Sequence, residues 1–268
     1  MPMMTNKDDV NVQSRSLPRG ADWRKLASKS TRPINAHGQP VSNKYCGLPV
    51  LADSIDVHEK AFDLFQKYVP HAARVLDVGA GSGAFTQRLL DHGYQSLEAL
   101  EVNAEAFQVK EIAVHPLNLE QPWAEHLPEP FDALVTLEVI EHLENPWHFA
   151  RQCSAAVRPG GIVVLSTPNI QSSRSRIEFV LNAEFRFFHQ KHFEQIGHMT
   201  SMTKNQICQA FSCAGCEFVD FDHSRHKGMP RPTSARKLLR ALIYGASYPF
   251  MSGDKHGEAG IFVFRRRS

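Results

Sequence analysis

The stretch VLDVGAGSG, residues 75–83, decides the fold. Its first four residues complete the apolar run ARVLDV (73–78), which reads as a buried strand. Its glycines lead into FTQRLLDH (85–92), a helix closed by Gly93. A strand that passes through three closely spaced glycines into a helix brings backbone amides against a ligand, because glycine accepts positive φ and has no Cβ to hold the ligand off. Outward from this turn the alternation continues. SLEALEV (96–102) is a second strand, followed by a short helix over 104–110 and a third strand near 112–117. FDALVTL (131–137) is the fourth strand, a helix covers 146–157, and GIVVLST (161–167) is a fifth strand stopped by Pro168. Upstream, Asp53-Ser54 can cap a helix that runs through Ile55, His58, Phe62, Phe65 and Val69 to Pro70. Downstream, a helix over 203–215 precedes two closing strands, 216–222 and 259–265. Such alternation predicts an α/β fold, a mostly parallel sheet with helices on both faces.

Glu101 lies 18 residues beyond Gly83, at the tip of the second strand, where a carboxylate can accept both hydroxyls of a ribose. With Ala84 the glycine string also satisfies G-x-G-x-x-A, a dinucleotide fingerprint. Asp77 separates the two ligand classes. A carboxylate just ahead of the glycines repels a pyrophosphate and attracts a ligand that carries ammonium and sulfonium charge.

These residues resemble a family. VLDVGAGSG, Glu101-Val102, LEVIEHLENP (137–146) and VRPGGIVVLSTPN (157–169) occur in the order found in class I S-adenosylmethionine-dependent methyltransferases, and are most similar to the group containing the ubiquinone-biosynthesis O-methyltransferases. The resemblance covers 71–223. It implies a seven-stranded, doubly wound, Rossmann-like sheet with an antiparallel last strand, and S-adenosylmethionine as cofactor. Carried over by position, Asp77, Gly79, Ala80, Gly81 and Gly83 line the methionine part and Glu101 takes the ribose. Val102 packs on the adenine, and Leu137 meets the cofactor where the fourth strand ends. Asn118-Leu119 stand where the family has an acidic residue before Leu at the adenine amino group, so Asn118 is a departure from the pattern.

Glu138, Glu141 and His142 follow the fourth strand at the edge where open α/β sheets bind ligands. In a helical turn, positions i, i+3 and i+4 share one face. Two carboxylates and an imidazole so arranged suit a general base, His142, oriented by Glu138 or Glu141. They also suit a divalent metal, which the resemblance to small-RNA 2′-O-methyltransferases extends to His198; the ligands are then Glu138, Glu141, His142 and His198. The expectation is a catalytic role for His142 without a metal. His189, His192 and His198 cluster in FFHQKHFEQIGH (187–198), which could line the active site after the fifth strand, but each taken singly reads as a surface histidine. Cys213 and Cys216, a single C-x-x-C, read as core thiols rather than half of a zinc site.

The chain has 268 residues, 42% of them apolar and 22% charged, which excludes collagen, coiled coil and a wholly disordered chain. No run reaches the roughly 18 apolar residues of a spanning helix; the uncharged stretch 241–253 has 13 residues. Five cysteines and an N-terminus without an apolar signal core suggest a cytoplasmic protein, at most peripheral to a membrane. The net charge of +2 hides a division. Residues 1–50 carry 8 Lys and Arg against 3 Asp and Glu, residues 51–224 carry 12 against 23, and residues 225–268 carry 10 against 2. We expect a disordered basic segment over 1–50 and one methyltransferase domain over 51–268. That domain has insertions at about 170–202, a lid whose Arg and Phe residues meet an acidic apolar acceptor, and at about 224–257. The second insertion holds a basic amphipathic helix, within 234–251, suited to a membrane surface. The expected reaction is methyl transfer to a hydroxyl on a small-molecule, glycan or lipid-linked acceptor. The alternatives are ribose 2′-O-methylation of RNA, for which no compact RNA-binding module is visible, and a non-catalytic cofactor-binding scaffold.

Overall fold

The computed structural model describes residues 43–52, 56–225 and 232–268; the expected cap at Asp53-Ser54, and Ile55, lie outside them. In chain order the elements are β1 (Asn43–Tyr45), β2 (Leu48–Val50), α1 (Val57–Tyr68), β3 (Val75–Val78), α2 (Ala84–Asp91), β4 (Leu97–Leu100), β5 (Ala113–His115) and β6 (Phe131–Leu137). There follow α3 (Pro146–Ala156), β7 (Val157–Pro168), α4 (Ser173–Asn182), α5 (Gln190–Ile196), α6 (Lys204–Cys213), β8 (Cys216–His223), α7 (Ala235–Ser247) and β9 (Ala259–Arg266).

Seven strands form one sheet in the order β5-β4-β3-β6-β7-β9-β8. β3 to β7 are mutually parallel, and β9 runs antiparallel to both β7 and β8. This is the fold of the class I methyltransferases that the motifs implied. Alternate residues feed two cores. Val75, Val135 and Val164 pack with Phe65 of α1 and Leu89 of α2. Leu76, Leu134 and Val163 pack with Phe149 of α3 and Phe211 of α6. Strand order reverses direction between β3 and β6, so their carboxyl ends bound the crevice in which such sheets take a ligand.

Several expectations change. Residues 43–50, counted with the disordered segment, form the β1–β2 hairpin, and Cys46 and Gly47 have the positive φ values of a two-residue type I′ turn. The helix expected over 104–110 is one 3-10 turn, Ala104–Ala106. The chain extends there, so that Phe107 and Val109 cover Gly83. Of the two thiols read as core, Cys216 is buried and Cys213 is exposed. No helix among the described residues is long and apolar enough to cross a membrane.

Candidate active site

β3 delivers Asp77 to the crevice, and the chain then turns on Gly79, Gly81 and Gly83, all at positive φ. A Cβ on Gly79 would stand 2.5 Å from Val139 Cγ2, and one on Gly83 would stand 2.6 Å from Val109 Cγ2. At both positions backbone and neighbours therefore exclude any larger residue. Gly79 and Ala80 donate to the Leu100 carbonyl at 2.8 and 3.2 Å, which pins the loop to β4. Glu101, just past β4, accepts the Gly81 amide at 3.0 Å on Oε2 and the Asn103 amide at 3.0 Å on Oε1. Its carboxylate is thus held beside the glycine loop. Asp77 is buried and accepts the Thr86 hydroxyl at 2.6 Å. Burial pushes its carboxyl up to about 6; hydrogen bonds from Thr86 oppose the shift and the nearby Glu101 adds to it.

Two carboxyl groups at one glycine turn, one of them raised by burial, form a site that a cationic ligand relieves. Val102 is 65% exposed at the same edge, leaving an apolar side chain uncovered beside Glu101. This charge and shape fit an adenosyl group bearing a sulfonium and fit a pyrophosphate poorly. Asn118 is exposed and accepts the Glu120 amide at 3.0 Å, whereas Leu119 packs on the core. Leu137 is buried beneath the crevice.

Glu138 has φ +55, a left-handed conformation that is rare for a residue with a Cβ and frequent at functional turns. Ser166 holds it there, accepting the Glu138 amide and donating its hydroxyl to Oε1 at 2.8 Å. The segment after it is a 3-10 turn, Ile140–His142, so the three residues do not share a helix face as the spacing suggested. Glu141 is buried and accepts the Thr167 hydroxyl at 3.0 Å. Its carbonyl accepts the amides of Met199 and Thr200, each at 3.0 Å, which brings His198 to His142. The two imidazoles meet edge to face with centroids 4.7 Å apart. Burial lowers His142 to about 4, while backbone groups of Gly197 and Ile196 act against the shift. His198 is buried, its Nδ1 lies 2.9 Å from the Phe187 carbonyl, and burial followed by His142 lowers it to about 2. Since a carbonyl only accepts, Nδ1 carries the proton and Nε2 keeps its lone pair.

Candidate ligand atoms of Glu141, His142 and His198 all lie within 4.8 Å of one another, the spacing of a possible cation site. Glu138, the fourth member of the expected set, is outside this group. Of the three histidines read as surface residues, His198 is buried and His192 half-buried; burial lowers His192 to about 4, and its ring stacks at 6.5 Å from that of His198. His189 bridges Glu178 and Glu184, at 3.1 Å from each. The lid arginines are engaged within the protein. Arg174 pairs with buried Glu258, and Arg186 pairs with Glu178 at 3.1 Å and Glu258 at 3.5 Å, which stitches α4 to the start of β9.

Sequence reasoning missed four contributors. Thr86 clamps Asp77, and Ser166 and Thr167 hold the two glutamates; a hydroxyl pair ending a central strand was the available signal. The fourth is the hairpin. Ser82 donates to the Pro49 carbonyl at 2.7 Å, and Leu51 Cδ1 lies 3.5 Å from where a Gly81 Cβ would be, so residues 49–51 roof the loop.

A doubly wound sheet with a glycine turn, a carboxylate held at its edge and an acid–histidine cluster at its switch point has the architecture of a nucleoside-cofactor-binding protein. A family model described as a methyltransferase domain matches residues 54–220, and the chain belongs to the S-adenosylmethionine-dependent methyltransferases of class I. Its methyl donor is therefore S-adenosylmethionine. The ubiquinone biosynthesis O-methyltransferase of Caulobacter sp. is 35% identical over 36% of this chain and 41% of its own length. That of Neisseria meningitidis serogroup A is 31% identical over 51% and 57%. The chain thus spans about half the length of the curated relatives it matches. Among solved structures, an S-adenosylmethionine-dependent methyltransferase of Archaeoglobus fulgidus superposes with a TM-score of 0.52 at 16% identity, over 78% of this chain and 94% of that one. A Haloferax volcanii methyltransferase complex with the Trm112 activator gives 0.53 at 15% identity, over 80% and 92%. At such identities the agreement is one of fold.

Proposed function

We propose that the protein methylates a hydroxyl oxygen on a small-molecule, glycan or lipid-linked acceptor, with His142 as general base. The carrying observation is the imidazole pair, half-buried His142 against buried His198, beside Glu141 at the carboxyl end of β6, next to the glycine crevice. In this reading Glu101 takes the ribose hydroxyls and Val102 the adenine face. Asp77 with the turn Gly79, Ala80, Gly81 and Gly83 borders the methionine end. Leu137 supports the cofactor from below and Asn118 lies at the adenine amino position, while Leu119 contributes through packing. When bound, S-adenosylmethionine supplies an electrophilic methyl on a sulfonium. In that reaction the methyl would leave the sulfonium sulfur for the acceptor oxygen, and this chain's part would be to align the two and take the proton. The acceptor's proton passes to His142, uncharged at neutral pH because burial holds it low, and then to solvent. Glu141 favours the imidazolium as it forms. Much of the acceleration comes from alignment of acceptor and methyl group in a site closed by α4, α5 and the β1–β2 hairpin.

A second reading makes Glu141, His142 and His198 the ligands of a divalent cation that acidifies the acceptor hydroxyl, and the common spacing of their ligand atoms supports it. Labelled methyl transfer into a cell extract, partitioned into lipid, RNA, protein and small-molecule fractions, identifies the acceptor class. With that acceptor, His142→Ala lowers turnover by about 10²–10⁴-fold at unchanged cofactor affinity. Full activity in this variant removes the base. Loss of activity on chelation, restored by Mg²⁺ or Zn²⁺, establishes the cation instead.

A further inference from the structure

α7 wears its apolar side outward. Its inner side packs half-buried Ala241, Ile243 and Tyr244 toward α4. Ser173 Oγ donates to Tyr244 Oη and Arg240 to Asn182 Oδ1, each at 3.3 Å. The outer side consists of Leu238, Leu239, Leu242, Gly245 and Ala246, all exposed and all on one face at helical spacing. Leu242 is 62% exposed, and Phe250, in the 3-10 turn that follows the helix, is 88% exposed. α4 adds exposed Phe179, Val180 and Leu181. Of the eleven large apolar side chains exposed among the described residues, these account for seven. Apolar surface gathered in this way marks a partner or a membrane.

Charge selects between them. Residues 225–253 contain six Lys and Arg and no Asp or Glu, while 51–224 are strongly acidic. A second copy seated on this face would oppose two cationic segments. Residues 1–42, with 7 Lys and Arg against 3 Asp, carry the same sign and are repelled too. An anionic lipid surface satisfies both the leucines and the charge. We propose that α7 and the turn at Tyr248–Phe250 dock the protein on an anionic bilayer. Leu238, Leu239, Leu242 and Phe250 then enter the headgroup–acyl boundary, and Lys237, exposed in the first turn of the helix, faces lipid phosphates. Repulsion of the acidic body orients the molecule, and α4, which leaves the sheet at the carboxyl end of β7, faces the same surface. The proposal goes beyond methyl transfer and stands without it.

The test is co-sedimentation of the full chain with vesicles of phosphatidylcholine alone or mixed with phosphatidylglycerol. Partitioning onto the mixed vesicles exceeds that onto the neutral ones by about tenfold or more and falls as salt rises. Leu238→Ser/Leu242→Ser/Phe250→Ser and Arg236→Glu/Lys237→Glu each remove about tenfold of that binding or more while retaining S-adenosylmethionine affinity. Cofactor affinity separates failure of this proposal from failure of the methyltransferase reading. Leu242→Trp, a single change on the outer face, keeps the test available if a multiple variant misfolds: its emission shifts to the blue on anionic vesicles. Equal binding to both vesicle types, an unshifted tryptophan, or leucine variants that only convert a dimer to a monomer overturn the proposal.

Discussion

Gly79→Ala separates the two reasons for glycine at the turn proposed to border the cofactor. At φ +71 an alanine carries about 1–2 kcal/mol of left-handed strain. Its Cβ would also lie 2.5 Å from Cγ2 and 3.4 Å from Cγ1 of Val139. Val139 is buried and follows Glu138, which is itself at φ +55, so the facing backbone has little freedom to retreat. Overpacking of this kind costs about 1–3 kcal/mol. The substitution should therefore destabilise the protein by about 2–5 kcal/mol, a large share of the roughly 5–15 kcal/mol that holds a domain folded. Val139→Ala removes the overlap and leaves the strain. Urea unfolding of wild type, both single variants and the double variant should then give a favourable coupling of about 1–3 kcal/mol. Titration with S-adenosylmethionine should follow the same order, weakest in Gly79→Ala and partly restored in the double variant, because a displaced loop loses its hold on Leu100 at 2.8 Å. Zero coupling, or a Gly79→Ala protein as stable as wild type, refutes the claim that close packing shapes the turn.

Glu101→Ala should weaken S-adenosylmethionine and S-adenosylhomocysteine alike by about 1–3 kcal/mol in a calorimetric titration, through lost ribose hydrogen bonds and the freed Gly81 and Asn103 amides; tighter binding of NAD than of either sinks the assignment. His58, buried and edge-on to Phe85, is lowered from 6.5 to about 3 by burial first and Arg88 second. Between those values the unfolded chain binds the extra proton, so this contribution to stability is whole above about pH 6.5 and is lost as pH falls, by about 2 kcal/mol at pH 5. His58→Leu should reduce the proton uptake on unfolding near pH 5 by about one, and an unchanged slope in denaturant titrations at several pH values contradicts the buried neutral imidazole.

Periodicity and punctuation sufficed for the parallel strands, since apolar runs bounded by Gly and Pro have one reading in an α/β alternation. They failed where tertiary contact overrides local preference. AEAFQVK (104–110) has helical composition, yet Gly83 needs covering, and Phe107 and Val109 cover it from extended backbone. The lid arginines were legible as charges but not as pairs. Glu258 lies 84 residues beyond Arg174 in sequence, and only the β8–β9 excursion brings them together. The hairpin over Gly81 left no signal beyond its turn, because Leu51 acts through position rather than type.

The acid–histidine cluster shows how a neighbourhood can be read while its division of labour cannot. Glu138 and Glu141 look equivalent when the segment is drawn as a helix. What divides them is β7. Ser166 and Thr167 are consecutive, so their side chains leave the sheet on opposite faces. Ile162 and Val164 pack with α1 and α2, while Val163 and Leu165 pack with α3 and α6. By that alternation Ser166 takes Glu138 toward the side from which α2 and the glycine turn rise, and Thr167 takes Glu141 toward the other. His142 and His198 gather with Glu141, and Glu138 stays out of the trio. The left-handed φ at Glu138 is the hinge that lets neighbouring carboxylates part in this way. Two hydroxyls at the end of a central strand thus decide which acid lies with the imidazoles, through strand alternation rather than through spacing in the segment that carries the acids.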